Sequence, residues 1–206
     1  MFAQPLPAPP TRPTRADVDA LPAHLVGEIL GGELIASPRP APAHSRAATA
    51  LASLVFGPYD LGVGGPGGWW ILAEPELNLG VDPAFDPVVP DLAGWRRDAV
   101  PSLPLTAQHP STPDWVCEVV SPSTQRRDRV LKVPFYARAG VRHLWLVDPL
   151  AQTLEVYALR EAHWLLIGAW GGDDKGVRAA PFEAVALDLG VLWDCGPPAP
   201  EPSAAP

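Results

Sequence analysis

Short apolar runs, separated by glycine, proline and charged residues, divide the chain into segments of strand and helix character. Two such runs flank the pair Gly31-Gly32, which predicts a hairpin of strands at residues 25–30 and 33–37. The next apolar pattern, at residues 43–56, is rich in alanine and leucine with helical spacing, and it predicts a helix. A short helical turn is expected before the hairpin, at residues 16–21.

The remaining apolar runs are mostly of strand length. They lie at residues 69–73, 76–79, 88–95, 114–120, 142–147, 153–159, 163–170 and 182–187. Between the fourth and fifth of these runs, a helix is predicted to start at Ser121 or Ser123 and to end at Gly140. Pro134 lies inside this helix and predicts a kink, because proline lacks a backbone donor.

This order of elements predicts an α/β or α+β fold with a mixed central sheet and an additional β meander from residue 153. The strand–helix–strand unit at residues 115–147 predicts a parallel crossover. Prolines are concentrated at the two ends, with five in residues 1–15 and five in residues 197–206. We therefore expect disordered tails there and a single domain at residues 16–196.

The composition is that of a globular protein, with 47% hydrophobic and 18% charged residues. No apolar run approaches the roughly 20 residues that span a bilayer, and the first residues lack the pattern of a signal peptide. The two cysteines, Cys117 and Cys195, are too few for a cysteine-rich zinc site or a disulfide framework. A cytoplasmic protein that does not contact membranes is the expectation.

Charge is distributed unevenly along the chain. The net charge is −8, which argues against a protein that coats nucleic acid, yet residues 96–142 hold eight basic residues against four acidic ones. A basic surface beside acidic groups suits a polyanion that is cleaved rather than coated. The alternative is an ordinary solvated helix face with arginines.

The most apolar strand, residues 114–120, contains one acidic residue, Glu118. Burying a carboxylate is unfavourable unless a partner compensates it. Because strand residues two apart share a face, Glu118 and Val120 point one way and Cys117, a core residue, points the other. A structural salt bridge to one of the arginines that follow is the alternative to a functional role for Glu118.

A second carboxylate, Asp91, begins the apolar strand that follows Pro90, 27 residues before Glu118. Adjacent antiparallel strands would bring both carboxylates to one end of the sheet. Two such oxygen ligands, together with a backbone carbonyl, suit Mg²⁺ or Mn²⁺. The alternative for Asp91 is a turn aspartate that follows proline.

Lys132 is one of two lysines among 15 basic residues. Its compact ammonium has a tunable pKa, unlike the guanidinium of arginine. Helical spacing predicts that Arg129, Lys132 and Tyr136 share one face. The alternative is an Asp128–Lys132 pair on the surface, worth only about 0.3–0.5 kcal/mol.

Several segments resemble the Uma-type restriction endonuclease family of bacteria, within the PD-(D/E)xK nuclease superfamily. The resemblance is carried by residues 28–34, 89–92, 114–124, 136–141 and 145–149, with His44, Asp128 and Lys132. It covers most of residues 26–193 and is most specific at residues 118–149. It implies a restriction-endonuclease-like domain, a mixed central sheet flanked by helices.

The resemblance also implies an activity, namely Mg²⁺- or Mn²⁺-dependent hydrolysis of phosphodiester bonds in DNA. Asp91 and Glu118 would be catalytic metal ligands, with the backbone carbonyl of Val119 as a third ligand and Glu28 as a further carboxylate. Lys132 would stabilise the attacking hydroxide or the phosphate. The superfamily lysine normally lies two residues after the acid, where this chain has Val120, so Lys132 on the helix is the substitute.

Two other functions stay open at this point. A non-catalytic binding or scaffold protein would reuse a degenerate nuclease fold, since a fold does not by itself imply activity. A homodimer is expected in either case, because two cuts need two sites and the strands after Leu150 offer an interface. A Ser/His hydrolase is disfavoured, because the chain lacks a G-x-S-x-G motif.

Overall fold

The computed structural model describes residues 12–38, 40–106, 108–109 and 111–196. Most of the two predicted tails, residues 1–11 and 197–206, lies outside the described residues. Within the described residues, the chain forms ten strands and five helices. These are α1 (Arg15–Asp19), β1 (Leu25–Leu30), β2 (Glu33–Pro38), α2 (Pro42–Val55), β3 (Trp69–Ala73), β4 (Glu76–Leu77), β5 (Leu92–Arg96), β6 (Gln108–His109), β7 (Trp115–Val119), α3 (Gln125–Arg127), α4 (Val133–Ala139), β8 (His143–Asp148), β9 (Thr153–Arg160), β10 (His163–Gly171) and α5 (Gly190–Trp193).

A six-stranded mixed sheet forms the centre of the domain, in the order β10-β9-β8-β7-β5-β3. The β7–β8 pair is parallel, with Trp115 opposite His143, which confirms the predicted crossover. The other four pairs are antiparallel. Strands β1 and β2 form the predicted hairpin, and β4 pairs with β6 in a small parallel ladder.

The two faces of this sheet are covered by different elements. Alternation along β7 sends Trp115, Cys117 and Val119 to one face, where α2 and α5 pack. It sends Val116 and Val120 to the other face, where the hairpin and α4 contribute to the core. We call these the apolar face and the charged face, because Glu118 lies on the second one.

The helix between β7 and β8 is less regular than predicted. It begins at α3, continues through a π-helical turn at Asp128–Lys132, and ends as α4 at Gly140, which adopts the left-handed conformation. The π-turn lies directly before Pro134, whose missing N–H interrupts the α-helical hydrogen-bond ladder. A second π-turn, Phe56–Asp60, follows α2.

One predicted strand starts later than expected, and another is absent from the described structure. Strand β5 starts at Leu92 rather than at residue 88, because Pro87 and Pro90 cannot donate to a ladder. The run at residues 182–187 forms no strand; only an isolated bridge joins Leu187 to Val177. The mixed sheet, its flanking helices and the β9–β10 meander nonetheless confirm the predicted fold class. In the part of the chain that is described, no helix is both long and apolar enough to cross a membrane.

Candidate active site

Glu118 is buried on the charged face, where its residue is 2% exposed. The Tyr136 hydroxyl, on α4, donates a hydrogen bond of 2.5 Å to Oε1 of Glu118. The ammonium of Lys132 lies 3.2 Å from each carboxylate oxygen of Glu118. The alternative of an arginine partner is therefore wrong, because the compensating cation is the lysine.

Lys132 is a buried cation held by oxygen atoms from three parts of the chain. Its Nζ donates to the Val89 carbonyl at 2.7 Å and lies 3.0 Å from Oε1 of Glu28, in addition to the Glu118 contacts. The lysine side chain is only 3% exposed. The alternative of a surface pair with Asp128 is wrong, since both residues are buried.

The π-turn decides which helical side chains face inward. Asp128 and Lys132 point into the protein, whereas Arg129 points outward and lies 3.1 Å from Glu155. The prediction that Arg129 shares a face with Lys132 and Tyr136 is therefore wrong. The inward set is instead Asp128, Lys132 and Tyr136, spaced four residues apart.

Asp91 lies at the start of β5, one position before the Leu92–Cys117 pair of the β5–β7 ladder. That register brings Asp91 next to the end of β7. Its Oδ2 accepts a 2.7 Å hydrogen bond from the Val119 N–H, and its Oδ1 lies 3.3 Å from Nε2 of His44. The Asp91 side chain is 17% exposed, so it is the more accessible of the two predicted ligands.

Glu28 lies in β1 and reaches into the same cluster from the hairpin. Its Oε1 accepts a 2.9 Å hydrogen bond from the Val89 N–H as well as contacting Lys132. Arg127 approaches Glu28 at 4.0 Å and Asp128 at 3.8 Å, and it donates to Ser37 at 2.8 Å. The hairpin and the helix are therefore tied together through this cluster.

Negative charge exceeds positive charge in the cluster. Its acidic side chains are Glu28, Asp91, Glu118 and Asp128. Lys132 and Arg127 supply two positive charges, which leaves a formal surplus of two negative charges when all four acids are ionised and His44 is neutral. Burial raises the pKa of Glu118 well above its usual range, and burial also raises the pKa of Asp128, although the charge of Lys132 opposes both shifts.

His44, on α2, responds to the same surplus. Burial acts to lower the pKa of His44, but its hydrogen bond and charge interaction with Asp91, with a hydrogen bond to the Val119 backbone, together raise that pKa above the usual value. Its Nδ1 is buried and has no partner among the described residues. Sequence reasoning placed His44 at a helix start but did not connect it to Asp91, because the contact joins residues 47 positions apart.

Comparisons with known proteins identify the family and the fold. The family model Uma2, described as "Putative restriction endonuclease", matches residues 19–190. The chain belongs to the Uma2 family. A crystal structure described as a "putative nuclease belonging to DUF820" from Anabaena variabilis has a TM-score of 0.67 and 20% identity, and covers 87% of this chain and 96% of that chain. At that identity it shows a shared fold, and no curated protein matches the chain.

In this Uma2 chain the lysine that compensates the strand acid comes from the helix. Val120 is 2% exposed and packs in the apolar part of the charged face. Lys132 reaches the Glu118 carboxylate from the π-turn instead. The family identified from the sequence is confirmed.

The residues of this Uma2 chain fit a divalent cation in charge and in donor type. Within the described ranges, no three histidine, cysteine or acidic side chains converge as a complete metal cage. Mg²⁺ does not require one, because it keeps several waters and is typically held by one or two carboxylates with substrate phosphate oxygens. A divalent cation bound at the accessible Asp91 would neutralise the surplus of two negative charges.

Proposed function

We propose that this Uma2 protein is a divalent-metal-dependent endonuclease that hydrolyses phosphodiester bonds in DNA. The observation that carries the proposal is the convergence of four acidic side chains with only two basic ones around Asp91 and Glu118, where burial raises the pKa of Glu118 and Asp128. Perturbed carboxylates of this kind concentrate at functional sites. Family membership and the nuclease-like fold support the same reaction class.

Asp91, Glu118 and the Val119 carbonyl would hold Mg²⁺ or Mn²⁺. When bound, the ion lowers the pKa of a water molecule and neutralises charge that develops on the phosphate. The Val119 N–H and His44 orient the Asp91 carboxylate by contacting its two oxygen atoms. Tyr136 and Lys132 orient Glu118 in the same way.

Lys132 acts through Glu118 in this proposal rather than on the phosphate. Its ammonium is 3% exposed and already contacts the Val89 carbonyl, Glu28 and Glu118. A lysine held by so many oxygen atoms would have to break these contacts to reach a substrate. We therefore propose a positioning role for Lys132, and a supporting role for Glu28, which anchors Lys132 and is not assigned to the metal.

Conservative substitutions of the proposed ligands test the activity. Asp91→Asn and Glu118→Gln should each abolish Mg²⁺-dependent cleavage of plasmid and oligonucleotide DNA. Asp98→Asn, on an exposed acid that pairs with Arg96, is the matched control and should cleave like the wild type. Cleavage that persists in both ligand variants, after contaminating nuclease is removed, would contradict the proposal.

The scaffold function is the second candidate, because both oxygens of Asp91 and both oxygens of Glu118 already contact protein groups. Calorimetric titration with Mn²⁺ separates the two functions. The nuclease requires binding that is lost in Asp91→Asn. No binding at millimolar Mn²⁺, together with no cleavage, would leave the scaffold as the better description.

We also propose that the protein acts as a homodimer that pairs through β10. This strand lies at one edge of the sheet and exposes Leu165, Leu166 and Ile167 by 54%, 51% and 44%. Residues 164–171 carry no charge, so two copies can align without like-charge repulsion along an unpaired strand edge.

Sedimentation of the wild type and of Leu166→Lys tests this interface. The wild type should sediment as a dimer and the variant as a folded monomer, because paired lysines repel at a symmetric edge. A monomeric wild type at the concentrations of the cleavage assay would contradict the dimer. DNA rather than RNA as the substrate, and a cytoplasmic location, stay predictions of the sequence.

A further inference from the structure

A pocket of about 370 Å³ opens directly beside Asp91 and His44. One wall is a stripe of small residues on α2, spaced at i, i+3, i+4 and i+7. They are Ser45, Ala48, Thr49 and Ala52. The volume falls within the roughly 300–1,000 Å³ of small-molecule sites. Because Asp91 belongs both to this pocket and to the proposed catalytic site, a group bound here would lie next to the reacting phosphate.

The pocket exists because α2 has two different faces. Ala47, Ala50, Leu51 and Val55 point into the apolar core, where they are fully or almost fully buried. The stripe on the adjacent side carries side chains too short to fill the space that separates it from Leu92. A bulky residue at any stripe position would occupy the pocket, which makes its role open to direct test.

The chemistry of the lining favours an uncharged, partly apolar group with N–H donors. Most of the lining is apolar, and the carboxylates of Asp91 and Glu74 contribute its acidic groups. Two carboxylates repel a phosphate inside the pocket, but they accept hydrogen bonds from the exocyclic amino group of a base. His44 also lines the pocket, and its Nε2 lies 3.3 Å from Oδ1 of Asp91.

We propose that this pocket takes the base of an unpaired nucleotide adjacent to the scissile phosphate. A base that is paired and stacked in a duplex cannot enter a concave pocket, so it must be single-stranded, mismatched or flipped out. The preferred substrate is therefore DNA with an unpaired nucleotide at the cleavage site. This inference rests on the proposed nuclease function and narrows its substrate class.

Three labelled oligonucleotide substrates of one sequence test the inference: a single strand, a duplex with one mismatch, and a fully paired duplex. With Mg²⁺ or Mn²⁺, the wild type should cleave the first two at least about tenfold faster than the third, since extruding a paired base is costly. Thr49→Trp places a bulky ring in the pocket lining from an exposed position and should remove this preference. Ser53→Trp is the control, one turn along α2, exposed and outside the pocket lining.

Binding gives a readout that does not depend on cleavage. With Ca²⁺ in place of Mg²⁺, fluorescence anisotropy should show tighter binding of the single strand than of the paired duplex. Thr49→Trp should lose that difference, and Ser53→Trp should keep it. If the wild type cleaves and binds all three substrates alike, the inference fails while the nuclease function stands. If no DNA is cleaved, but Thr49→Trp removes the binding difference and Ser53→Trp keeps it, the nuclease function fails and the base pocket stands.

Discussion

The two faces of the central sheet differ in what they bury: one buries aromatic rings and the other buries charged side chains. Strand β7 contributes residues to both faces. On the apolar face, Phe182 contacts four aromatic rings with centroids 4.6–5.6 Å away. They belong to Tyr59, Trp69, Trp115 and Trp145. On the charged face, the same strand buries the Glu118 carboxylate against Lys132 and Tyr136.

This difference separates what stabilises the domain from what the domain does. Burial of apolar area stabilises a fold without further requirements. A buried ion pair is weak evidence for stability, because desolvation offsets much of its Coulombic gain. The charged face holds four acidic side chains against two basic ones, and burial there raises the pKa of Glu118 and Asp128. It is therefore the face whose arrangement calls for a functional explanation.

The largest expected effect is that of Lys132→Met. Removing the ammonium leaves the Glu118 carboxylate buried without its cation, which should lower the free energy of unfolding by about 3–5 kcal/mol. Cleavage should be lost as well. The double variant Lys132→Met with Glu118→Gln should recover much of the stability but none of the cleavage, as measured by urea unfolding and a nicking assay. A double variant as unstable as the sum of its single variants would show that the two residues do not form a pair.

Phe182→Ala should cost about as much stability, about 3–5 kcal/mol, through the cavity that it leaves among the four rings. Its effect on function should be smaller, because the apolar face contributes no group to the proposed chemistry. Cleavage per folded molecule should match the wild type at a temperature where the variant is folded. A loss of cleavage in the folded variant would mean that the two faces are coupled. Phe182→Leu, which keeps much of the volume, should be milder on unfolding.

The sequence predicted the strand framework well because alternation and turn residues are local signals. The hairpin at β1–β2, the β7–α–β8 unit and the approach of Asp91 to the end of β7 all follow from such signals. The segment at residues 182–187 was mistaken for a strand for the same reason. Its apolar residues match a strand pattern, but Phe182 packs among aromatic rings that come from distant segments of the chain.

The burial of Lys132 was not predictable from local pattern. An aspartate and a lysine four residues apart look the same on an exposed helix and on a buried one. Lys132 is buried because it contacts the Val89 carbonyl and Glu28, which lie 43 and 104 positions away in the chain. The π-turn that orients the lysine likewise has no clear sequence signal beyond the nearby Pro134.

Stability of the metal-free protein should fall as pH rises above about 6.5, the usual pKa of histidine. His44 has a raised pKa in the folded state, so its contribution is complete below the unfolded value and disappears as pH passes the folded value. The raised pKa of Asp128 has the same sign. Burial lowers the pKa of His109 and His143. These two histidines make stability rise with pH, but only below about pH 6.5, so they do not affect the slope above that pH.

Urea unfolding at a series of pH values checks this dependence on the charged face. His44→Asn should flatten the slope above pH 6.5, because it removes the group that titrates against Asp91. Phe182→Leu should shift the whole curve downward and keep its slope. An unchanged slope in His44→Asn would show that the His44–Asp91 contact carries little charge interaction.

The smallest effect on stability is expected for the Arg129–Glu155 ion pair, although its length is almost that of the Lys132–Glu118 pair. Arg129 lies 3.1 Å from Glu155, and Lys132 lies 3.2 Å from Glu118, although both basic residues belong to the same π-turn. The arginine is 40% exposed, so water screens the pair, and Arg129→Gln should cost no more than about 1 kcal/mol. Urea unfolding measures this, and cleavage should be unaffected. A cost near that of Lys132→Met would contradict the argument that burial, rather than distance, gives the charged face its sensitivity.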